Sequence, residues 1–393
     1  MNLQRKRMLD AVMTQNGLGA LFLWRPDELV LAIGYMPLWG LSFLIYTGDD
    51  DPVLLVPELE PEDILPKNIT IKKFPWGDMS CKDPWKVLFG RITETLIEKE
   101  HHHLPVSFIK NIGGTSPCRM SGEQPPLPVD LTDKLSVITE AGYKDATQDL
   151  LKLYSYKTTE DIRHLKLTHK VGAQAVKTFY ENLKPGISEA ELAGLIEYEV
   201  QRMIGQEEIN FSKAWPMVQS GVNAAYGGRY NKSTGRKFQN GEMVMVEMGL
   251  CVNGYWADVT RTGQTGQINV QQKQIFYTVL EAQQKAIAAM KPGVMMAEID
   301  RIARKHIEAA GYGKFFNHAL GHHVGFRYHD FGPTLSPGSD AVLEEGMVLT
   351  VEPGIYDEQI NCGVRIEDNV LITKNGTEIL SDYNRLLTAI KHG

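Results

Sequence analysis

With 393 residues, 43% of them hydrophobic and 23% charged, the chain has the make-up of a soluble globular protein of two or three domains, and a disordered or fibrous character is excluded. A formal net charge of −7 gives no reason to expect nucleic acid as a partner. The four cysteines, Cys81, Cys118, Cys251 and Cys362, form no CxxC pair and read as reduced thiols of a cytoplasmic protein rather than a disulfide framework.

The basic start, Gln4-Arg5-Lys6-Arg7, lies in an amphipathic stretch from Leu3 to Gln15 with helical spacing, not before a continuous apolar signal core. Gly19–Trp24 and Leu41–Tyr46 read as strands, Asp49–Asp51 as a turn and Pro52–Val56 as a further strand. The run from Leu29 to Tyr46 carries no charge and is long enough to raise the question of a membrane span. Gly34, Pro37 and Gly40 interrupt it, so buried strands around a turn are expected instead, with no membrane partner. Trp85–Glu98 has helical spacing, His101-His102-His103 reads as a solvated helix end, and Pro117–Pro128 is a Pro-rich loop. Residues 1–155 thus read as a small α/β domain.

The character changes at Tyr156-Lys157-Thr158, opening a second domain over 156–393. Thr158 with Glu160 and Asp161 starts a helix expected to reach Leu183, where Pro185-Gly186 stops it. Ser188 and Glu191 form a capping box for a helix to about Ile204. Val270–Met290 and Met296–Ala310 are helical, and strands dominate from Met347 to Thr373. Helices alternating with long antiparallel hairpins predict an α+β domain rather than a βαβ nucleotide fold, and no GxGxxG or GxxxxGK motif stands in a strand–helix context.

Five residues of this half lie in or beside apolar strand-like runs: Glu247, Asp258, His322, Glu352 and Glu367. Burying unpaired carboxylates is very costly, so such positions imply a cation. Asn253-Gly254 is a strong two-residue hairpin signal. It pairs Val252 with Tyr255, and by register Gly249 with Asp258 and Glu247 with Thr260. Glu247 and Asp258 then share a face as diagonal neighbours roughly 7–8 Å apart, across a glycine. That spacing suits two divalent ions, each about 3.5–4 Å from the other. Met243 to Met248 make both faces of the strand apolar, which disfavours acids pointing to solvent.

His318, His322, His323 and His329 fall within twelve positions, beside Gly321 and Gly325. One imidazole among four carboxylates favours Mn²⁺, Co²⁺ or Zn²⁺ over Ca²⁺. Glu352, within Val-Leu-Thr-Val, has no local charge partner. Glu367 has Arg365 two positions away, and a salt bridge between them on one strand face is an alternative to a metal role.

The runs GYWADVTRT, HALGHHVGFRYH, VLTVEPGIY and GVRIEDNVLIT together resemble the pita-bread family of prolidases, Xaa-Pro aminopeptidases, methionine aminopeptidases and creatinase, in order and spacing over about residues 157–390. The opening helix with GLGALFLWRPDELVLAIGY is similar to the smaller N-terminal domain of prolidases and creatinase. The resemblance implies a C-terminal pita-bread domain behind a creatinase-like α/β domain. Asp258 and Glu367 would bridge two metals, His322 and Glu352 would complete one, and Glu247 the other. It places His318, His329, Arg365 and Tyr230 around the substrate, and His318, His329 and Glu352 near the catalytic proton transfers. It implies hydrolysis of a C–N bond by metal-activated hydroxide, with manganese as the first candidate, a small peptide or amide as substrate, and a homodimer.

Three positions depart from the family pattern. Glu247 stands where the peptidases carry Asp. The histidine that follows a Ser-Gly-x-Asn stretch is absent: here Ser220-Gly221-Val222-Asn223 leads to Gly228 or Tyr230 at that place. His323 stands where glycine is usual. The leading expectation is a metal-dependent Xaa-Pro peptidase, dipeptidase-like. A creatinase-like hydrolase of a small non-peptide substrate and a catalytically weak binding homologue are the alternatives.

Overall fold

The structure is a computed structural model; it describes residues 1–39, 41–48, 51–76, 80–110, 131–226 and 232–388. The chain divides into two compact units, Met1–Tyr154 and Ser155–Gly393.

The first unit runs α1 (Leu3–Asn16), β1 (Ala20–Leu23), α2 (Pro26–Ile33), β2 (Phe43–Tyr46), β3 (Val53–Pro57), β4 (Thr70–Phe74), α3 (Pro84–Glu98), β5 (Val106–Ser107), α4 (Leu131–Ser136) and α5 (Thr147–Lys152). Its strands form one mixed sheet in the order β4-β3-β2-β1-β5, with β3–β4 and β1–β5 parallel. Phe22, Trp24, Phe43 and Phe108 form an aromatic core over the sheet.

The apolar run from Leu29 corrects the expectation of strands: its first part is the helix α2. Pro26 stands at the first helical position, where its missing N–H costs nothing. Glu28 accepts from the N–H groups of Trp24 and Arg25, both 3.0 Å, and Gly34 closes the helix at φ 67°. No helix among the described residues is long and apolar enough to cross a membrane. The turn at Asp49 and Asp50, the Pro-rich loop and Cys118 lie outside the described residues.

The second unit comprises α6 (Thr159–Glu181), α7 (Glu189–Gln201), β6 (Ser212–Ser220), α8 (Val222–Ala225), β7 (Glu242–Val252), β8 (Tyr255–Thr265), α9 (Val270–Ala289), α10 (Met296–Ala309), β9 (Val348–Val351), β10 (Gly354–Asp357), β11 (Cys362–Arg365), β12 (Asp368–Thr373) and β13 (Gly376–Ile379). Reciprocal capping by Thr158 with Asp161 and by Ser188 with Glu191 starts α6 and α7. The strands β6-β7-β8 form one antiparallel sheet. Asn253 and Gly254 both have positive φ, 50° and 90°, as a type I′ turn requires. The register is the one that turn dictates, with Gly249 opposite Asp258 and Glu247 opposite Thr260. Val244, Val246, Met248 and Leu250 face a core built with α6 and α7. The alternation of the strand therefore turns Glu247 to the other face.

On that other side, β9 pairs with β12 and β10 with β11. Val351 opposes Asp368 and Gly354 opposes Arg365, so a single register runs through both ladders. Between them the ladder is interrupted: Glu352 and Pro353 stand against Ile366 and Glu367, outside the rungs of either ladder. Proline has no N–H to give. The N–H groups of Glu352 and Glu367 turn outward, to Leu320 O at 2.8 Å and Thr260 O at 3.1 Å. This split places both glutamates at one gap.

Candidate metal centre

Asp258 enters from the middle of β8, held by a reciprocal pair: its N–H donates to Asn369 Oδ1 (3.2 Å), and Asn369 Nδ2 donates to its carbonyl (2.5 Å). Glu367 comes from the interrupted hairpin, where its Oε2 accepts from Thr260 Oγ1 at 2.7 Å. Glu352 comes from the facing side, and its Oε1 lies 3.1 Å from Thr350 Oγ1, which donates to it. Burial and the neighbouring Glu367 and Glu352 push the Asp258 carboxyl well above its ordinary value. Burial first and Glu367 second do the same to Glu352. Glu367 is raised by burial, against the opposing pull of Arg365.

His322 is carried on a segment that lies along β9: Thr350 N donates to His322 O and Glu352 N to Leu320 O, both at 2.8 Å. The approach is so close that a Cβ on Gly321 would fall 1.9 Å from Thr350 O, so glycine is required. His322 Nδ1 lies 2.9 Å from His323 O, which makes Nδ1 the protonated nitrogen. Its Nε2 is thereby left as a lone pair, 3.5 Å from both Asp258 Oδ2 and Glu352 Oε1. Burial first and His329 second lower its pKa to about 3, so it stays neutral at physiological pH.

Ligand atoms of Asp258, His322 and His329 lie within 4.8 Å of one another, and so do those of His322, Glu352 and Glu367. Among the described residues, Asp258 Oδ1 and Glu367 Oε1 are buried without a hydrogen-bond partner. Buried carboxylate oxygens with nothing to accept from, converging on an imidazole lone pair, fit a divalent cation.

Glu247 is on the same sheet face but is otherwise engaged. Its Oε1 accepts from Tyr328 OH at 2.6 Å, and its Oε2 is in ion-pair contact with Arg365. Arg365 also donates to Thr260 Oγ1 (3.0 Å) and to Tyr356 OH (2.7 Å). Tyr356 OH lies 3.1 Å from His318 Nε2, while His318 Nδ1 lies 2.8 Å from Ala319 O. With Nδ1 giving its proton to the carbonyl, Nε2 accepts from Tyr356, whose oxygen accepts from Arg365. His318 therefore stands at the far end of a chain from Glu247 through Arg365 and Tyr356, and its pKa is lowered mainly by burial. His329 packs beside His322 with ring centroids 4.2 Å apart and the rings tilted by 46°. Tyr230 and Gly228 lie outside the described residues.

Residues 163–374 match the model of metallopeptidase family M24. The Xaa-Pro dipeptidase of Pyrococcus horikoshii is 33% identical over 388 residues, covering 98% of this chain and 99% of that protein. The crystal structure of the prolidase from the same organism superposes with a TM-score of 0.77 at 28% identity, covering 98% of this chain and 99% of the other. The prolidase from Pyrococcus furiosus superposes at 0.74 with 30% identity, covering 96% and 100%.

The chain belongs to metallopeptidase family M24. Its fold is the family's pita-bread fold, and it is a metallopeptidase enzyme.

Within this M24 member the departures acquire physical content. The extra methylene of Glu247 carries its carboxylate between Tyr328 and Arg365. His323 is fully buried, with both ring nitrogens unpartnered among the described residues. Gly332 makes room for it: a Cβ there would lie 2.5 Å from His323 Cδ2. The Ser220-Gly221-Val222-Asn223 stretch serves as an anchor. The buried carboxylate of Glu189 accepts from Ser220 N and Oγ (both 2.8 Å), from Asn223 Nδ2 (3.0 Å) and from Thr234 N (3.0 Å), tying Ser220, Asn223 and Thr234 together.

Reading the sequence missed Tyr328, Tyr356 and Thr260. The alternation of β8 alone would have found Thr260, two residues from Asp258 on the same face. Tyr328 and Tyr356 carry no periodic signal, because each comes from irregular backbone or from a strand whose register depends on the interrupted hairpin.

Proposed function

We propose that this M24 enzyme is a divalent-metal-dependent Xaa-Pro dipeptidase. The observation that carries the reading is the convergence of Asp258, His322, Glu352 and Glu367, with orphaned carboxylate oxygens facing an imidazole lone pair. The Xaa-Pro dipeptidase similarity over nearly the whole chain supports the substrate class.

Asp258, His322, Glu352 and Glu367 would hold the metal, with His329 beside them. A bound divalent ion supplies a water of lowered pKa and polarises the scissile carbonyl. Glu352, half-buried and hydrogen-bonded to Thr350 Oγ1 at the edge of the carboxylate cluster, is placed to hold a proton at its carboxylate during bond cleavage. His318 and Arg365, tied through Tyr356, offer a neutral imidazole and a guanidinium to orient the peptide's polar groups. Tyr328, with Trp215 and Trp256 rings 6.3 Å away, supplies an apolar wall suited to a prolyl ring.

The proposed metal is manganese, on a donor set of one or two imidazoles with carboxylates. Two ions are the proposed complement, and Glu247, already holding Arg365 and Tyr328, is the residue on which the second depends. The enzyme is further proposed to be cytoplasmic, on its scattered cysteines, and homodimeric, as the sequence resemblance implies.

Protein purified without chelator, assayed with Ala-Pro, Met-Pro and Ala-Ala, tests the reading. Bound divalent metal, stimulation by added Mn²⁺ and preference for the prolyl dipeptides are expected. Absence of bound metal together with no stimulation by Mn²⁺, Co²⁺ or Zn²⁺ would refute it.

A further inference from the structure

The gap between the β9–β12 and β10–β11 ladders is filled by a side chain from outside the hairpin. Gln283, on the inner face of α9, is fully buried. Its Nε2 donates to Val351 O and to Ile366 O, each at 3.0 Å. These two carbonyls belong to the residues immediately before Glu352 and Glu367. Val351 is the last rung of the β9–β12 ladder, opposite Asp368, while Ile366 lies opposite Pro353, which has no N–H to give it; a single amide nitrogen with two N–H bonds reaches both carbonyls.

The geometry is unlike that of an incidental core glutamine. The other amide atom, Oε1, has no hydrogen-bond partner among the described residues. The amide is thus held by its two donor bonds, against the cost of burying an unmatched acceptor. Around it, α9 contributes Ile275, Phe276, Val279, Ala282, Ala286 and Ile287 to an apolar core, where a leucine or methionine would fill the space. What the glutamine adds is a fixed separation between the backbone of Val351 and that of Ile366.

We propose that Gln283 is a positioning residue for the metal centre: by bridging the carbonyls of Val351 and Ile366 it sets the spacing of Glu352 and Glu367 across the interrupted hairpin. The proposal rests on the metal-site reading above. Gln283 touches neither metal nor substrate and acts through the backbone. Partners behind metal ligands typically alter affinity by about 10–100-fold when removed, and that is the effect expected here.

The test compares wild type with Gln283→Met, which keeps the length and removes both donors, and with Gln283→Asn, which keeps the amide but is too short to span the two carbonyls. Mn²⁺ dissociation constants are measured by titration calorimetry, and melting temperatures with and without Mn²⁺ by differential scanning calorimetry. Both variants should bind Mn²⁺ roughly 10–100-fold more weakly and show a smaller metal-induced rise in Tm. Should Gln283→Met not fold, Gln283→Asn decides by the same two readings. A lower Tm of the metal-free protein with unchanged affinity and an unchanged metal-induced rise would show a merely structural role and overturn the proposal. If wild type itself binds no divalent ion, the metal-site reading fails and the proposal falls with it; if wild type binds and the variants match it, the proposal alone fails.

Discussion

Replacing Gly321 by alanine tests whether the approach of the His322 segment to β9 is what assembles the centre. A Cβ at this position would lie 1.9 Å from the carbonyl oxygen of Thr350 and 3.0 Å from Thr350 Oγ1. Real Cβ contacts essentially never fall under 3.0 Å, so the two backbones must separate by about 1 Å, and neither is a flexible side-chain end. The separation strains the bonds from Thr350 N to His322 O and from Glu352 N to Leu320 O, both 2.8 Å, and from Leu335 N to Gly321 O, 2.8 Å. Overpacking of this kind costs about 1–3 kcal/mol of stability. The same movement withdraws His322 Nε2 from Asp258 and Glu352, and a misplacement of ~1 Å in a reacting constellation costs about 10²-fold in rate. The assay is chemical denaturation beside kcat/KM for Ala-Pro at saturating Mn²⁺, with Gly338→Ala, a glycine whose Cβ would meet nothing within 4 Å, as control. A Gly321→Ala protein with wild-type stability and activity would refute the reasoning, because the backbones would then have room that the structure does not give them.

Glu247→Gln removes the charge facing the buried Arg365, and breaking a buried pair of this kind should cost about 3 kcal/mol in the metal-free protein; a loss under ~1 kcal/mol by urea denaturation would mean that water replaces the carboxylate. Tyr356→Phe cuts the link between Arg365 and His318. Ala-Pro hydrolysis should fall about 10-fold or more with metal content unchanged, and a parallel loss of metal would show that the link serves the centre instead. The pKa of His169 is lowered to about 3, first by burial, from an ordinary 6.5. A depressed histidine contributes stability that is complete above about pH 6.5 and is lost as the pH falls toward 3, at roughly 1.4 kcal/mol per pH unit for one such group. Metal-free protein should therefore lose stability across that window, and His169→Gln should flatten the slope; an unaltered slope would assign the acid limb to other groups.

The centre is legible in the sequence to unequal degrees. Asp258 and Glu247 could be put on one face because Asn253-Gly254 strongly favours a type I′ turn, and a turn type fixes a two-strand register by local sterics. Gly321 could be noticed but not explained, since the atom it avoids, Thr350 O, is 29 residues away. The α2 helix was hidden in an apolar run that periodicity cannot classify; Pro26, Glu28 and Gly34 decide it through cap hydrogen bonds that are local but easily passed over.

By itself the sequence determined the hairpin register, the capped starts of α6 and α7, and a set of acids and histidines whose burial demands a cation. All of these rest on interactions between residues a few positions apart, or on the energetic cost of burying charge, which holds wherever the fold puts it. The tertiary structure alone decided which of those acids converge. Glu352 and Glu367 meet because Pro353 and outward-turned N–H groups split a hairpin that Gln283 then bridges, and Glu247 is drawn to Arg365 and Tyr328 because its longer side chain reaches them. Such outcomes depend on distances between segments far apart in the chain, and residue type and spacing leave those distances open.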